Sequence, residues 1–305
     1  MISFFLRLAL ALTAACLLLA GAALALGGST VTDQIAFDAP SENGRDLFLL
    51  DAGRSQFVRL TAHGGRSAAW SADGQQIAYI GPAGDGGEGV FTMQIGGRPA
   101  LLTPVTVLGE PHALDWSPDG GALAVTDRSD GVQSVYLLNL ADGTRQRLTE
   151  PRGSTFAPSW SPQGLIAFSW SPVANTEIYT LPATQLTLIH SQGTAPNPQR
   201  ITDNMYTDTA ADWSPDGEWI AFVSDRAGNS DLYRMRPDGS DLQPILLSPA
   251  YEGDPSWAPD GQRLALISNA SGERSLSVMD LDGRVEALPV FPGGVPARPA
   301  WRPLY

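Results

Sequence analysis

Five segments of the chain align on one short motif. They are Trp70-Ser-Ala-Asp-Gly74, Trp116-Ser-Pro-Asp-Gly120, Trp160-Ser-Pro-Gln-Gly164, Trp213-Ser-Pro-Asp-Gly217 and Trp257-Ala-Pro-Asp-Gly261. A sixth copy, Trp301-Arg-Pro303, is cut short by the chain end. Successive tryptophans stand 46, 44, 53, 44 and 44 residues apart. A repeat of this length is one supersecondary unit that cannot bury its apolar face alone, so the units must pack against one another.

Each unit reads as four short strands. The first ends at the tryptophan. Ser-Pro-Asp-Gly is a tight turn, because proline presets φ at its second position and Asp-Gly accepts the reversal. A second strand follows, as in Ile77–Ile80, Leu165–Phe168 and Trp219–Val223. The third carries an aromatic residue, at Tyr136, Tyr179 and Tyr233. A second Asp-Gly turn then leads into a fourth strand that often ends in Leu-Thr, as at Leu60-Thr61 and Leu148-Thr149. Four strands in about 44 residues describe a propeller blade. The C-terminus supplies one strand, Pro299–Trp301, and the N-terminus three, at 34–37, 46–49 and 57–61. The expectation is an all-β, six-bladed β-propeller over residues 33–305, closed by pairing N- and C-terminal strands in one composite blade. That pairing removes an exposed edge.

The words of the repeat resemble a known family. Trp-Ser-Pro-Asp-Gly, then Ile-Ala-Phe, then Ser-Asp-Arg-x-Gly-x-x-Asp-Leu-Tyr, over residues 213–233, is similar to the TolB-type β-propeller repeat. The likeness extends over about residues 33–305. It implies a six-bladed propeller. It also implies a periplasmic setting, since the family's name-giving member is a cell-envelope component whose propeller binds a peptidoglycan-associated lipoprotein. That member has an α/β domain before its propeller, where this chain has only about seven residues between its apolar segment and the first strand. The repeat also resembles the propeller of prolyl-oligopeptidase-type hydrolases, but no Gly-x-Ser-x-Gly nucleophile elbow occurs here.

Residues 8–26 are almost wholly apolar, follow Arg7, and contain the lone cysteine, Cys16. Nineteen such residues can span a bilayer core as one helix, and Arg7 favours a cytoplasmic N-terminus. Ala23-Leu24-Ala25 resembles a signal-peptide cleavage site. Residues 1–27 are therefore expected to form one hydrophobic helix, either a cleaved signal peptide or a signal-anchor. The propeller would then be extracytoplasmic, in the periplasm or at the cell surface. With no cysteine beyond Cys16, the propeller has no disulfide or zinc-thiolate site.

All 19 basic residues are arginine, against 32 acidic residues, for a net charge of −13. The lack of lysine excludes Schiff-base chemistry and a P-loop. The acidic balance argues against nucleic acid as a partner.

The six motif tryptophans, Trp70, Trp116, Trp160, Trp213, Trp257 and Trp301, are expected to pack between blades. The turn aspartates are expected to bond local backbone. Function is then sought at a channel mouth, where the first strands begin. The segments entering those strands supply Glu110, His112, Asp115, Asp208, Asp212, Glu252 and Asp254, against Arg66 and Arg298, plus His63. Their convergence would make one mouth acidic and suited to a partner protein or a basic peptide. Carboxylate oxygens also suit Ca²⁺, although no metal site is assigned. The three histidines, at 63, 112 and 190, show no metal-ligand spacing. A long insertion at residues 182–199 is a second place for recognition. The reading is a non-catalytic protein-interaction scaffold of the cell envelope. The alternatives are a Ca-dependent lactonase-type hydrolase and a glycan-binding propeller.

Overall fold

A computed structural model of the chain describes residues 33–303, apart from 43, 85, 96–99, 102–108, 130, 151, 173–174 and 183–196. The helix expected over residues 1–27 and most of the insertion at 182–199 lie outside the described residues.

Six four-stranded antiparallel sheets follow one another along the chain. The innermost strands are Arg66–Trp70, Ala113–Trp116, Ser154–Trp160, Asp208–Trp213, Glu252–Trp257 and Ala297–Trp301. They define blades one to six. The sixth is the composite blade: Ala297–Trp301 pairs with Gln34–Ser41, which continues through Gly44–Asp51 to Gln56–Arg59. The closing register sets Trp301 opposite Ile35 and Ala300 opposite Ala36. Arg302 reinforces the closure by donating to Gly74 O of blade one at 2.9 Å and to Gln34 Oε1 at 2.6 Å.

Second strands such as Ile220–Ser224 are buried along their whole length, because both faces of a blade meet a neighbour. Fourth strands form the outer wall, and Val285–Ala287 is exposed throughout. The motif tryptophans do pack between blades. Trp213 lies with Ala167 and Ile178 of blade three, Trp257 with Ala221 and Leu232 of blade four, and Trp301 with Ala265 and Ile267 of blade five. Burying one such indole is worth about 2–3 kcal/mol or more.

The turns behave as their chemistry requires. Gly217 N–H donates to Ser214 O at 2.8 Å, with Gly217 at φ +71°, a region that Gly enters without steric cost. Asp216 Oδ1 accepts the Glu218 N–H at 2.9 Å and the Ser214 hydroxyl.

Five of the six innermost strands contain a β-bulge. The residue three before the tryptophan is left-handed in each: Ser67 (φ 54°), Ala157 (45°), Ala210 (53°), Asp254 (49°) and Arg298 (49°). In blade two the pairing runs without a break from Ala113 to Trp116.

Candidate functional site

The strand order fixes two ends for the channel. Innermost strands begin at one, the upper mouth, and run to the Ser-Pro-Asp-Gly turns at the other. The lumen between them has a volume of about 500 Å³. Its lower wall carries Pro118, Pro162, Pro215, Pro259, Pro303 and Ala72. The bulged position supplies Asp254 and Arg298 to the wall, and the residue before the tryptophan supplies Asp115, Ser159, Asp212 and Ser256.

Residues in that last position tie neighbouring blades together. Asp115 Oδ2 accepts the main-chain N–H of Trp160 at 2.7 Å, and Asp212 Oδ2 that of Trp257 at 2.8 Å. Ser159 Oγ accepts the Trp213 N–H at 3.4 Å, and Ser256 Oγ that of Trp301 at 3.2 Å. Where the position is alanine, the tie changes hands. The Trp70 indole N–H donates to Ala300 O at 3.0 Å, and the Trp116 indole to Ala69 O at 3.1 Å. The indoles of Trp160, Trp213 and Trp257, which follow the Asp, Ser and Asp positions, have no acceptor among the described residues.

Asp115 and Asp212 keep some accessible surface on the lumen side. They nevertheless lie deep enough in the ring for desolvation to dominate. Burial pushes Asp115 up to about 7, with the nearby Asp212 charge adding to the rise. Burial pushes Asp212 up to about 6. Their main-chain hydrogen bonds act in the opposite direction.

Two of the candidate acids stand behind the wall. Asp208 is 0 % exposed, bound to Arg226 Nη2 at 2.9 and 3.1 Å and to Asn204 Nδ2 at 2.8 Å. Glu252 is 1 % exposed, and its Oε1 accepts the Ser248 hydroxyl at 2.7 Å. Its Oε2 has no partner among the described residues, and burial raises its pKa. At the upper mouth, Asp254 Oδ2 accepts the Arg298 N–H at 3.3 Å, and Glu110 pairs with Arg128 at 3.3 Å. The expected acids thus divide among wall, lumen and mouth, and do not converge into one acidic ring.

The basic candidates do converge. Arg66 Nη2 bonds Glu88 and, at 2.7 Å, Pro111 O of blade two. Ser67 Oγ donates to His112 O at 2.8 Å and accepts from Arg298 Nη1. Arg66, His112 and Arg298 are thereby linked across blades one, two and six. Among the described residues no group of three His, Cys, Asp or Glu side chains could hold a metal ion.

With the propeller and its lumen defined, comparison with known proteins decides the family. Residues 111–303 match the family model described as the TolB beta propeller domain. The chain belongs to the TolB β-propeller family. Over 190 residues it is 28 % identical to an uncharacterised protein of Agrobacterium fabrum, covering 59 % of this chain and 57 % of that one. Over 127 residues it is 31 % identical to the Tol-Pal system protein TolB of Bordetella pertussis, covering 41 % and 27 %. These matches span less than two thirds of either relative's length. The crystal structure of TolB from Acinetobacter baumannii superposes with a TM-score of 0.72 at 21 % identity, covering 90 % of this chain and 68 % of that one, and shares the fold.

In this TolB-type propeller, the sequence pointed to Asp115, Asp212, Asp254 and Arg298 but not to the bulge and the interblade tie that they occupy. Both recur at a fixed offset from the tryptophan, so the repeat alignment held the positional signal. Its meaning depends on contacts between strands that are not paired in one sheet. Ser159 and Ser256 occupy the tie position with the same role as Asp115 and Asp212, although they carry no charge.

Proposed function

We propose that this propeller is a non-catalytic interaction module of the cell envelope whose upper channel mouth receives a segment of a partner protein. One observation carries the reading. Two of the five left-handed positions around the lumen hold charged residues, Asp254 and Arg298. A non-glycine residue in that region costs on the order of 1–3 kcal/mol, and such strain collects at functional sites. Packing asks for no charge there, since the equivalent residues of blades three and four are Ala157 and Ala210. Membership of the TolB propeller family and the likeness to a Tol-Pal system protein support an extracytoplasmic interaction role.

A calcium-dependent hydrolase needs several carboxylates free to face one point. In this lumen Asp115 and Asp212 are already engaged by main-chain N–H groups, which favours binding over metal-assisted catalysis. The test is a crosslinking pull-down from native membranes. It compares wild type with an Asp254→Asn/Arg298→Ala variant of unchanged thermal stability. A partner held by wild type and lost in the variant is the expected result. Equal capture by both would place recognition elsewhere on the propeller.

A further inference from the structure

The upper mouth contains a group of donors that interblade packing does not satisfy. Arg66 Nη1 is buried without a hydrogen-bond partner among the described residues, and so is His112 Nε2. Arg298 is exposed, forms no ion pair among the described residues, and rests its Nη1 on the Ser67 hydroxyl. These side chains come from three consecutive blades. Ser67 joins them, with its hydroxyl between Arg298 Nη1 and His112 O.

The electrostatics agree with the geometry. Burial lowers the Arg66 pKa below its ordinary value, and the Arg298 charge lowers it further, while Glu88 and Asp38 act the other way. His112 is held below its ordinary value by burial, then by Arg66, Arg298 and Arg128, with Glu110 opposing. The carboxylates nearby are largely committed. Asp38 bonds Arg45 and the Ser67 N–H, Glu88 bonds Arg66, and Glu110 pairs with Arg128. Asp254 accepts the Arg298 main-chain N–H. Two guanidiniums crowded together, with an unfilled donor on Arg66, lower their free energy by sharing an anion. Arginine forks suit carboxylate and phosphate oxygens.

We propose that Arg66, His112 and Arg298 form a binding site for one oxyanion, a carboxylate or a phosphate, at the upper mouth of the channel. The exposed Arg298 guanidinium meets the anion first. Arg66 Nη1 and a protonated His112 Nε2 then supply the donors that now lack partners. Binding therefore raises the proton affinity of His112. The site does not depend on a protein partner entering the channel, although an acidic side chain or a C-terminal carboxylate of such a partner would fit it.

The chain has only three histidines, so the imidazole resonances of the purified full-length protein are readily followed by NMR, and His112→Gln assigns the one of interest. The probes are inorganic phosphate and acetate, titrated separately at constant ionic strength with chloride as control. The expected result is a saturable rise in the His112 pKa with at least one probe. Phosphate alone marks a free-phosphate site, and acetate alone marks a carboxylate site. Arg298→Ala is expected to weaken the effect on the order of tenfold or more, as befits a charged hydrogen bond. Arg128→Ala, which alters the local charge without removing a proposed ligand, should leave saturable binding in place. A His112 resonance unmoved by either probe at tens of millimolar overturns the proposal. So does an Arg298→Ala variant that folds normally and titrates like wild type. Neither result depends on whether a partner protein is captured.

Discussion

Asp212 Oδ2 accepts the main-chain N–H of Trp257 at 2.8 Å, across the boundary between blades four and five. The two strands concerned belong to different sheets, so this bond and its counterparts are polar ties added to apolar blade packing. The structure holds two solutions to the same problem. An Asp or Ser before the tryptophan reaches the next blade's main chain. An Ala cannot, and there the next indole donates to the alanine carbonyl instead.

That alternation predicts a rescue. In Asp212→Ala the Trp257 indole should adopt the arrangement of Trp70 and Trp116 and donate to the carbonyl of residue 212. The net loss should be about 1 kcal/mol, the worth of one ordinary hydrogen bond, or about 2–4 °C in Tm for a domain of this size. A downfield move of the Trp257 indole N–H resonance would report the switch. A loss several times larger, with that resonance unmoved, would mean the two ties are not interchangeable.

The raised lumen carboxylates give stability a definite pH slope. Asp115 and Asp212 bind protons more tightly folded, at about 7 and about 6, than at the reference value of 3.8. Their contribution is full below the reference value and is lost as pH rises through the folded values. The turn acids Asp73, Asp119 and Asp216 are lowered instead, so their contribution is lost only as pH falls below the reference value. Thermal stability should therefore decline between about pH 5 and about pH 7, partly offset by His112, whose lowered value acts in the opposite direction. Asp115→Asn should flatten that decline, which a series of melting curves can check. A wild-type Tm that rises over the interval would contradict the assignment.

Asp208 and Asp254 should behave oppositely although sequence places both at the mouth. Asp208→Ala strips a fully buried partner from Arg226, whose side chain is itself only 15 % exposed. Breaking such a pair costs about 3–5 kcal/mol. Asp254→Asn touches a partly exposed residue of the upper mouth and should cost under about 1 kcal/mol. Chemical denaturation of the two variants distinguishes them. Equal losses would make Asp254 another structural carboxylate.

The bulges make a prediction that runs against the usual preference for alanine over glycine. Ala157 and Ala210 sit at φ 45° and 53°, where an L-residue costs about 1–2 kcal/mol and glycine almost nothing. Allowing for the extra unfolded-state freedom of glycine, Ala157→Gly and Ala210→Gly should be neutral to about 1 kcal/mol stabilising. Ala113→Gly, in the unbulged strand of blade two, should destabilise by about 0.5–1 kcal/mol. Denaturant midpoints of the three variants read this directly.

The blade count, the composite closure and the interblade tryptophans were legible because each rests on a local pattern that the repeat copies. Trp301 opposite Ile35 follows from counting strands at the two chain ends. The fate of the acids was not legible in the same way. Asp208 and Asp212 lie four residues apart on one strand, yet one faces Arg226 behind the wall and the other the lumen. The bulge at Ala210 reorients the strand between them. A residue pattern of period two cannot foresee that break. Arg66, His112 and Arg298 were legible as mouth residues, but not as one group, because Arg298 reaches Ser67 and His112 only when the ring closes.

The central claim is that the upper mouth, and not the opposite end, meets a partner. A photocrosslinking amino acid in place of the exposed Val295, just before the innermost strand Ala297–Trp301 at the upper mouth, tests it most directly, with position 238, on a turn at the lower end, as control. Both substituted proteins are expressed and irradiated in native membranes. The account predicts a discrete adduct from position 295 that Arg298→Ala abolishes, and none from position 238. Adducts from 238 alone, or from both positions and indifferent to Arg298→Ala, would contradict it.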